Sequence, residues 1–163
     1  FEGNFHNNLK NGPGKLEFKD GSYYEGNFLN NEIHGEGRYY WPNNRTYIGQ
    51  WSHNQMSGHG ELVYTNGCTY TGEFEMNQKH GEGEFVWQDG KKYIGSWFRG
   101  KQHGHGKIIT AKGEEKIGDG AKASVSTKAR VTNRREIVFH LLNIISSSRL
   151  LWGLEVVALD DDT

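Results

Sequence analysis

The sequence has little of what most folded domains of its size rely on. Its 163 residues include a single cysteine, Cys68, and hydrophobic residues make up only 34% of the chain. A lone cysteine excludes an internal disulfide, and we interpret Cys68 as a packing residue in a reducing compartment. The longest apolar stretch, 137–145, is about half as long as a membrane-spanning helix requires, and it contains His140 and Asn143. We therefore predict no transmembrane helix.

An excess of charge of one sign is also absent. The chain has 19 basic and 20 acidic residues, which leaves a net charge of −1, so the composition does not favour a nucleic-acid-binding protein. No signal peptide is visible, but Phe1 stands in the middle of a motif, and we expect the natural N-terminus to be missing. Aromatic residues, by contrast, reach 13%, which is too many for a disordered chain.

The aromatic residues recur at a step of 23 residues. The motif "FEGNF" at 1–5 returns in related form at 24, 47, 70 and 93 and fades at 116. The 21 glycines that precede residue 119 all lie on columns of this repeat. A period of this length predicts a repeat architecture, in which each unit buries its apolar face only against its neighbours.

Each unit reads as two strands joined by a turn. Apolar and polar residues alternate with a period of two in both halves of the unit. Between units, the pairs at 20–21, 66–67 and 89–90 are Asp-Gly or Asn-Gly, which predicts type I′ turns with positive φ at both central residues. Inside the units, asparagine gives way to glycine in one column, which predicts a left-handed backbone. That column holds Asn8, Asn31, Asn54, Asn77 and Gly100.

The aromatic residues and glycines of a unit are spaced so that rings can pack over glycines. Rings at the first and fifth positions point to the same face, and the glycine between them leaves a slot that a ring of a neighbouring strand can enter. Stacked rings would supply the core that the lean composition lacks. The predicted fold class is an all-β repeat: an elongated, twisted, single-layer antiparallel sheet of tandem β-hairpins, followed by a short C-terminal helix.

The segments "YEGNFLNNEIHGEGRYYWPNN" at 24–44 and "YTGEFEMNQKHGEGEFVWQDG" at 70–90 resemble the MORN repeat. The resemblance covers residues 1–118, with units starting at 1, 24, 47, 70 and 93 and a partial unit at 116. Asn11 and Ser57 replace the histidine of the motif, and Asn44 replaces a turn glycine. The resemblance implies a scaffold without catalytic activity, of the kind found in ciliary spokes, cytoskeletal rings and membrane-contact proteins, and hence a cytoplasmic, cytoskeleton- or cilium-associated location.

The residues themselves do not indicate an enzyme. The histidines that share one column, His34, His80 and His103, lie in separate units about 10 Å apart from one unit to the next, which is too far to share a metal ion. The paired glycines lack the third glycine and the helix of a dinucleotide-binding motif. No nucleophile stands out beside a histidine and a carboxylate. We predict no cofactor, no metal site and no catalytic residue.

We place the candidate partner-binding residues on the face opposite the glycine slots, where apolar content rises toward the later repeats. β-Branched residues are common on any pleated surface, which by itself would explain the apolar content of this face. An open sheet, however, has nothing else to cover that face. We therefore favour a groove for a helix or extended segment of another protein. The candidates are Tyr40, Ile48, Val63, Val86, Ile94 and Ile109.

A basic cluster in the last full repeat provides the alternative, a peripheral module that binds phosphoinositides or other anionic lipids. The candidate lipid contacts are Lys91, Lys92, Arg99, Lys101 and Lys107. Residues 1–118 as a whole carry nearly equal numbers of basic and acidic residues, which favours a solvated edge instead.

Beyond the array the composition changes. Residues 119–135 are predicted to be a basic linker, and 136–163 a helical C-terminal segment that either docks on the sheet, engages a partner or is disordered. A capping box formed by Asn133 and Glu136 would start the helix.

Overall fold

The computed structural model of the chain describes residues 1–119. The helical segment predicted for 136–163, and all but the first residue of the linker predicted for 119–135, lie outside this described part. Among residues 1–119, no helix has the length and hydropathy needed to cross a bilayer.

The described residues form one open, single-layer sheet of eleven antiparallel strands, and each strand pairs with its neighbours in chain order. This confirms the all-β repeat of tandem hairpins predicted from the sequence. The strands are β1 (Glu2–His6), β2 (Leu9–Glu17), β3 (Tyr23–Leu29), β4 (Glu32–Tyr40), β5 (Thr46–Ser52), β6 (Gln55–Val63), β7 (Thr69–Glu75), β8 (Gln78–Val86), β9 (Lys92–Phe98), β10 (Lys101–Ile109) and β11 (Glu115–Asp119).

The turns inside the units are two-residue turns with a left-handed backbone. Between β3 and β4, Asn30 and Asn31 have φ values of 50° and 73°, which is the type I′ conformation that matches the twist of the flanking strands. The same conformation recurs in the other four units, up to Arg99 and Gly100. The left-handed backbone predicted for the asparagine column is confirmed, and the preceding residue shares it.

The prediction of type I′ turns between the units is wrong. Between β2 and β3, Gly21 N–H donates to Phe18 O at 3.1 Å and Phe18 N–H donates to Ser22 O at 2.9 Å. This is a three-residue loop in which only Gly21 is left-handed, with φ of 85°. Asp20 closes this loop with its side chain, because its Oδ1 accepts hydrogen bonds from Ser22 N–H at 3.0 Å and from Ser22 Oγ at 2.6 Å.

A row of glycines crosses the whole sheet. In each of the ten strand pairs, a glycine of one strand lies directly opposite a glycine of the next. The row consists of Gly3, Gly14, Gly26, Gly37, Gly49, Gly60, Gly72, Gly83, Gly95, Gly106 and Gly118. It forms a shallow channel in the sheet, because no side chain rises from it.

Aromatic rings lie in this channel. The Tyr47 ring of β5 lies over Gly49 of its own strand and Gly60 of β6; a Cβ added to Gly60 would stand 2.5 Å from Tyr47 Cε2. The Tyr47 hydroxyl donates to Gln50 O at 2.9 Å. The glycine between the two rings, Gly49, is therefore covered by a ring of its own strand, and the prediction that a ring of a neighbouring strand enters there is wrong. The second-strand glycine, Gly60, is the one that receives a ring of the neighbouring strand.

The rings also contact one another edge to face. Tyr47 meets Trp51 of its own unit and Phe74 of the next, with 5.0 Å between ring centroids in both pairs. Tyr24, Tyr47 and Tyr70 are fully buried. We call this continuous run the ring ladder. It consists, in spatial order, of Phe5, Phe1, Phe28, Tyr24, Trp51, Tyr47, Phe74, Tyr70, Trp97 and Tyr93.

The type I′ turns also join each unit to the one before it. Asn54 N–H donates to Ile33 O at 3.0 Å, and Ile33 N–H donates to Asn54 Oδ1 at 2.8 Å. Asn31 and Asn77 make the same pair of bonds. At the equivalent Gly100 only the main-chain bond remains, from Gly100 N–H to Lys79 O at 2.9 Å.

This difference gives a matched test of the inter-unit bond. Asn54→Gly is expected to lower the free energy of unfolding by about 1 kcal/mol, because Ile33 N–H loses its acceptor while the left-handed backbone is kept. Gly100→Asn is expected to raise it by a similar amount, since nothing lies within 4 Å of a Cβ there. Urea unfolding of both variants measures the two changes. A Gly100→Asn variant no more stable than the parent would show that the side-chain bond does not outweigh the cost of a non-glycine residue at φ of 81°.

Candidate partner-binding surface

The two faces of the sheet differ in kind. We call the side that carries the glycine row and the ring ladder the ring face, and the other side the opposite face. Near the turns that join the units, the ring face carries a line of partly exposed aromatic side chains, three of which pack against the buried core. We call this line the aromatic ridge. It consists of Phe18, Trp41, Tyr64 and Trp87.

Each ridge residue follows the second strand of its unit, where the alternation of side chains directs it to the ring face. Trp41 packs on Tyr39 with 4.4 Å between ring centroids, and Tyr39 in turn contacts Trp51 of the ladder at 5.9 Å. Trp87, Phe85 and Trp97 repeat this arrangement. The ridge is therefore held by the residues beneath it and remains partly exposed.

Cationic side chains lie on the rings of this face. The Arg45 guanidinium carbon stands 4.5 Å from the Trp41 ring centroid, and Lys91 Nζ stands 4.2 Å from that of Trp87. Lys79 Nζ is 4.4 Å from the Trp97 centroid and 4.8 Å from that of Phe85. Attraction between a cation and an aromatic face accounts for these positions.

Lys79 occupies an unusual place for a charged residue. Its column of the repeat is filled by Ile33 and Met56 in the second and third units, and both are buried in the core. Burial lowers the pKa of the Lys79 ammonium, and the nearby Arg45 guanidinium lowers it further. Lys79 was not predicted from the sequence, although a lysine in a column shared with isoleucine and methionine was the signal for it.

The cations of the two faces also differ in their partners. On the opposite face, Lys15, Lys92 and Lys107 form ion pairs with Glu17, Glu84 and Glu115 at 2.7, 3.2 and 3.3 Å. On the ring face, no carboxylate of residues 1–119 lies within 4.0 Å of Arg45, Lys79 or Lys91.

The nearly neutral composition conceals a separation of charge between the faces. Strand pairing and alternation assign Lys10, Arg45, Lys79, Lys91, Lys116 and Glu114 to the ring face, which makes five basic residues and one acidic residue. The opposite face has five basic residues, Lys15, Arg38, Lys92, Lys101 and Lys107. Its twelve acidic residues are Glu2, Glu17, Glu25, Glu32, Glu36, Glu61, Glu73, Glu75, Glu82, Glu84, Glu115 and Asp119.

The partner-binding candidates from the sequence all lie on the opposite face. One row across the strands contains four of them: Tyr40, Val63, Val86 and Ile109. Within this row they alternate with Thr46, Thr69 and Lys92. The next row contains Ile48 and Ile94. Ile48 stands between Arg38 and Glu61, and Ile94 stands between Glu84 and Lys107. The structure thus brings the six residues to one face but not into a continuous apolar groove. Their role in binding stays a prediction.

The lipid-contact candidates are dispersed. Lys91 lies on the ring face, Arg99 in a type I′ turn, and Lys92, Lys101 and Lys107 on the opposite face. Two of the three on the opposite face are already paired with glutamates. The five residues therefore do not form one basic patch, and lipid binding by them stays a prediction.

The histidines of the shared column contact their neighbours individually. The His34 ring lies 5.8 Å from that of His53, His80 Nδ1 lies 3.2 Å from Glu75 Oε2, and the His103 ring lies 5.6 Å from Phe98. Within the described residues, no group of three or more histidine, cysteine or acidic side chains could hold a metal ion.

The sequence model of the MORN repeat matches the chain in five consecutive segments, 1–23, 24–44, 47–69, 70–92 and 93–115. Each segment corresponds to one hairpin unit of the sheet, to within one residue at the start of its first strand. No curated protein sequence matches the chain. Repeats of this kind act in general as modules for interaction with proteins or membranes. Because the five matches cover more than half of the chain and each contains the paired strands, the glycines and the rings, the chain belongs to the MORN repeat family.

Proposed function

We propose that this chain is a non-catalytic scaffold that binds a helix or an extended segment of another protein along its sheet. The observation that supports this most is the aromatic ridge on the ring face. Trp41, Tyr64 and Trp87 pack on the core beneath them, yet each remains partly exposed. Large aromatic residues held rigidly in this way are the residue type that most often dominates binding energy at protein interfaces.

The ring face fits this role better than the opposite face for a physical reason. A partner laid on the opposite face would have to desolvate many carboxylates, several of them in ion pairs, and such desolvation opposes binding. A partner laid on the ridge would cover rings that are already fixed by the ladder. Little side-chain entropy would then be lost on binding.

Adjacent residues on the two faces allow a direct test. Trp87 belongs to the ridge and Val86 to the opposite face. Each position is replaced by the photoreactive amino acid p-benzoylphenylalanine, and the cross-linked partner segment is identified by mass spectrometry. We expect a single partner segment to be cross-linked from position 87 but not from position 86. Trp87→Ala should weaken the affinity for that partner by at least tenfold, and Val86→Ala should leave it unchanged. The reverse pattern would assign the partner to the opposite face and refute docking on the ridge.

Membrane binding is the second candidate function, and the family's general role as protein or membrane modules supports it. Flotation with phosphoinositide-containing vesicles tests it. The chain should float with the vesicles at low ionic strength and be released as salt is added, because charge attraction to lipid head groups is screened; a chain that does not float at low ionic strength would refute membrane binding. A place in a ciliary or cytoskeletal assembly of the cytoplasm remains part of the proposal, and localisation of the tagged protein in its own cells would test it.

A further inference from the structure

The cations of the ring face are held in a charge arrangement that an anion would relieve. Arg45 and Lys79 approach the same ring, since the Arg45 guanidinium carbon stands 5.7 Å and Lys79 Nζ 5.6 Å from the Tyr64 centroid. No carboxylate of residues 1–119 lies within 4.0 Å of either. Like charges this close oppose each other, and a carboxylate that reached both from outside would offset that repulsion.

The spacing of the ridge matches an extended chain. Neighbouring strands are about 4.8 Å apart, so the ridge residues of successive two-stranded units recur about every 10 Å along the sheet. A chain in the polyproline II conformation advances about 3.1 Å per residue and completes one turn every three residues. One turn therefore covers about 9 Å, and one side chain of each turn can meet one ridge residue. An α-helix, at about 1.5 Å per residue, needs between six and seven residues for the same distance, which is not a whole number of turns.

We propose that the occupant of the ring face is an acidic, extended segment of a partner protein, whose carboxylates pair with Arg45, Lys79 and Lys91 while its apolar side chains cover the ridge. This rests on the proposed function and adds the chemistry of the partner to it. A protein segment fits better than a membrane surface, because the Lys79 ammonium lies among Tyr64, Tyr70, Phe85 and Trp97. A flexible glutamate side chain can reach into that position, whereas a lipid bilayer presents its head groups in a plane.

Three labelled peptides test the charge preference on the full chain. The probes are (Glu-Pro-Leu)4, (Gln-Pro-Leu)4 and (Lys-Pro-Leu)4, each with a fluorescein at the N-terminus, and binding is followed by fluorescence anisotropy. The glutamate peptide is expected to bind at least tenfold more tightly than the glutamine peptide, and the lysine peptide not to bind. The affinity of the glutamate peptide should fall as salt is added, since charge attraction between exposed groups is screened.

Paired variants locate the site. The double variant Arg45→Gln and Lys91→Gln should lose at least tenfold in affinity for the glutamate peptide. The matched double variant Lys92→Gln and Lys107→Gln, on the opposite face, should lose less than twofold. Circular dichroism melting of both variants verifies that they are folded.

Three results would overturn the proposal: equal affinities for the glutamate and glutamine peptides, a loss of affinity confined to the Lys92 and Lys107 variant, or no binding of the glutamate peptide at all. Binding to phosphatidylserine vesicles that depends on Arg45 and Lys91 would also overturn it, by assigning the face to membranes. Equal affinities that both depend on Trp87 would refute the acidic partner alone and leave docking on the ridge intact. Cross-linking from position 86 in place of 87 would refute the docking itself.

Discussion

Replacing Tyr47 with alanine is expected to lower the free energy of unfolding by about 4 kcal/mol, the cost typical of deleting a large buried ring. Tyr47 is fully buried. It bridges two units, because its ring contacts Trp51 and Phe74 at 5.0 Å. It also fills the channel over Gly49 and Gly60, so its loss would expose backbone that no other side chain covers.

The expected effect is large because a repeat sheet has no other core. Each unit is stabilised only by its neighbours, so the loss of one contact between units weakens the array on both sides. We therefore expect Tyr47→Ala to separate unfolding into two steps, in place of one cooperative transition. Urea titration followed by tryptophan fluorescence, with Trp51 and Trp97 on opposite sides of the change, would report this.

Two controls make the result specific. Tyr47→Phe keeps the ring and removes only the hydrogen bond to Gln50 O, so about 1 kcal/mol should be lost. Phe5→Ala removes a ladder ring that is 61% exposed, and it should cost much less than Tyr47→Ala. If Phe5→Ala and Tyr47→Ala were equally destabilising, the ring ladder would not be the core of the sheet.

The second large effect expected is unfolding at alkaline pH. Burial raises the pKa of Tyr24 from 10.0 to about 12. Burial likewise raises the pKa values of Tyr47 and Tyr70. Each hydroxyl is thus more readily ionised in the unfolded chain than in the folded one. The stability that these groups contribute is complete below pH 10, the ordinary tyrosine pKa, and is lost as pH rises through the folded-state values.

The size of the loss follows from the shift. One pKa unit corresponds to about 1.4 kcal/mol, so the two-unit shift of Tyr24 would contribute a loss of about 2 kcal/mol by pH 12. Tyr47 and Tyr70 would add to it. We expect the sheet to be stable to about pH 10 and to unfold cooperatively at higher pH, with the absorbance of the ladder tyrosinates appearing together with the loss of β-sheet circular dichroism.

The variant Tyr24→Phe provides the control for the alkaline transition. It lacks one of the hydroxyl groups whose pKa is raised by burial. Its free energy of unfolding should therefore depend less steeply on pH above 10 than that of the parent chain. Tyrosinate absorbance that rose fully near pH 10 while the circular dichroism stayed unchanged would show that the ladder tyrosines are accessible in the folded sheet, contrary to their burial.

The interaction chemistry of this chain was harder to predict than its fold. The apolar residues that the sequence singled out, such as Val63 and Val86, were visible as a column, but a column does not show which residues stand between its members. Thr69 lies between these two across the sheet. Lys79 was overlooked because its partners, Tyr64 and Trp97, are 15 and 18 residues away in the chain and meet it only through strand pairing.

The turns show where local sequence is informative and where it is not. Asn31 was correctly placed in a left-handed conformation, because few other residues tolerate it. Asp20 and Gly21 were assigned the wrong turn type, since Asp-Gly suits both a two-residue loop and a three-residue loop closed by an aspartate side chain. The length of the loop sets the pairing of the strands that follow, so this choice affects which side chains meet.

The sequence by itself determined the repeat, its two strands, the ring-bearing face and the packing of rings over glycines, because a period of 23 residues and a period of two are properties of the chain alone. The tertiary structure decided which residues of neighbouring strands meet. It produced the unbroken glycine row, placed the cations on the rings of the ring face and formed the ion pairs on the opposite face. The physical reason is that contacts between strands depend on pairing register, and register is fixed by loop closure and by packing across the whole sheet.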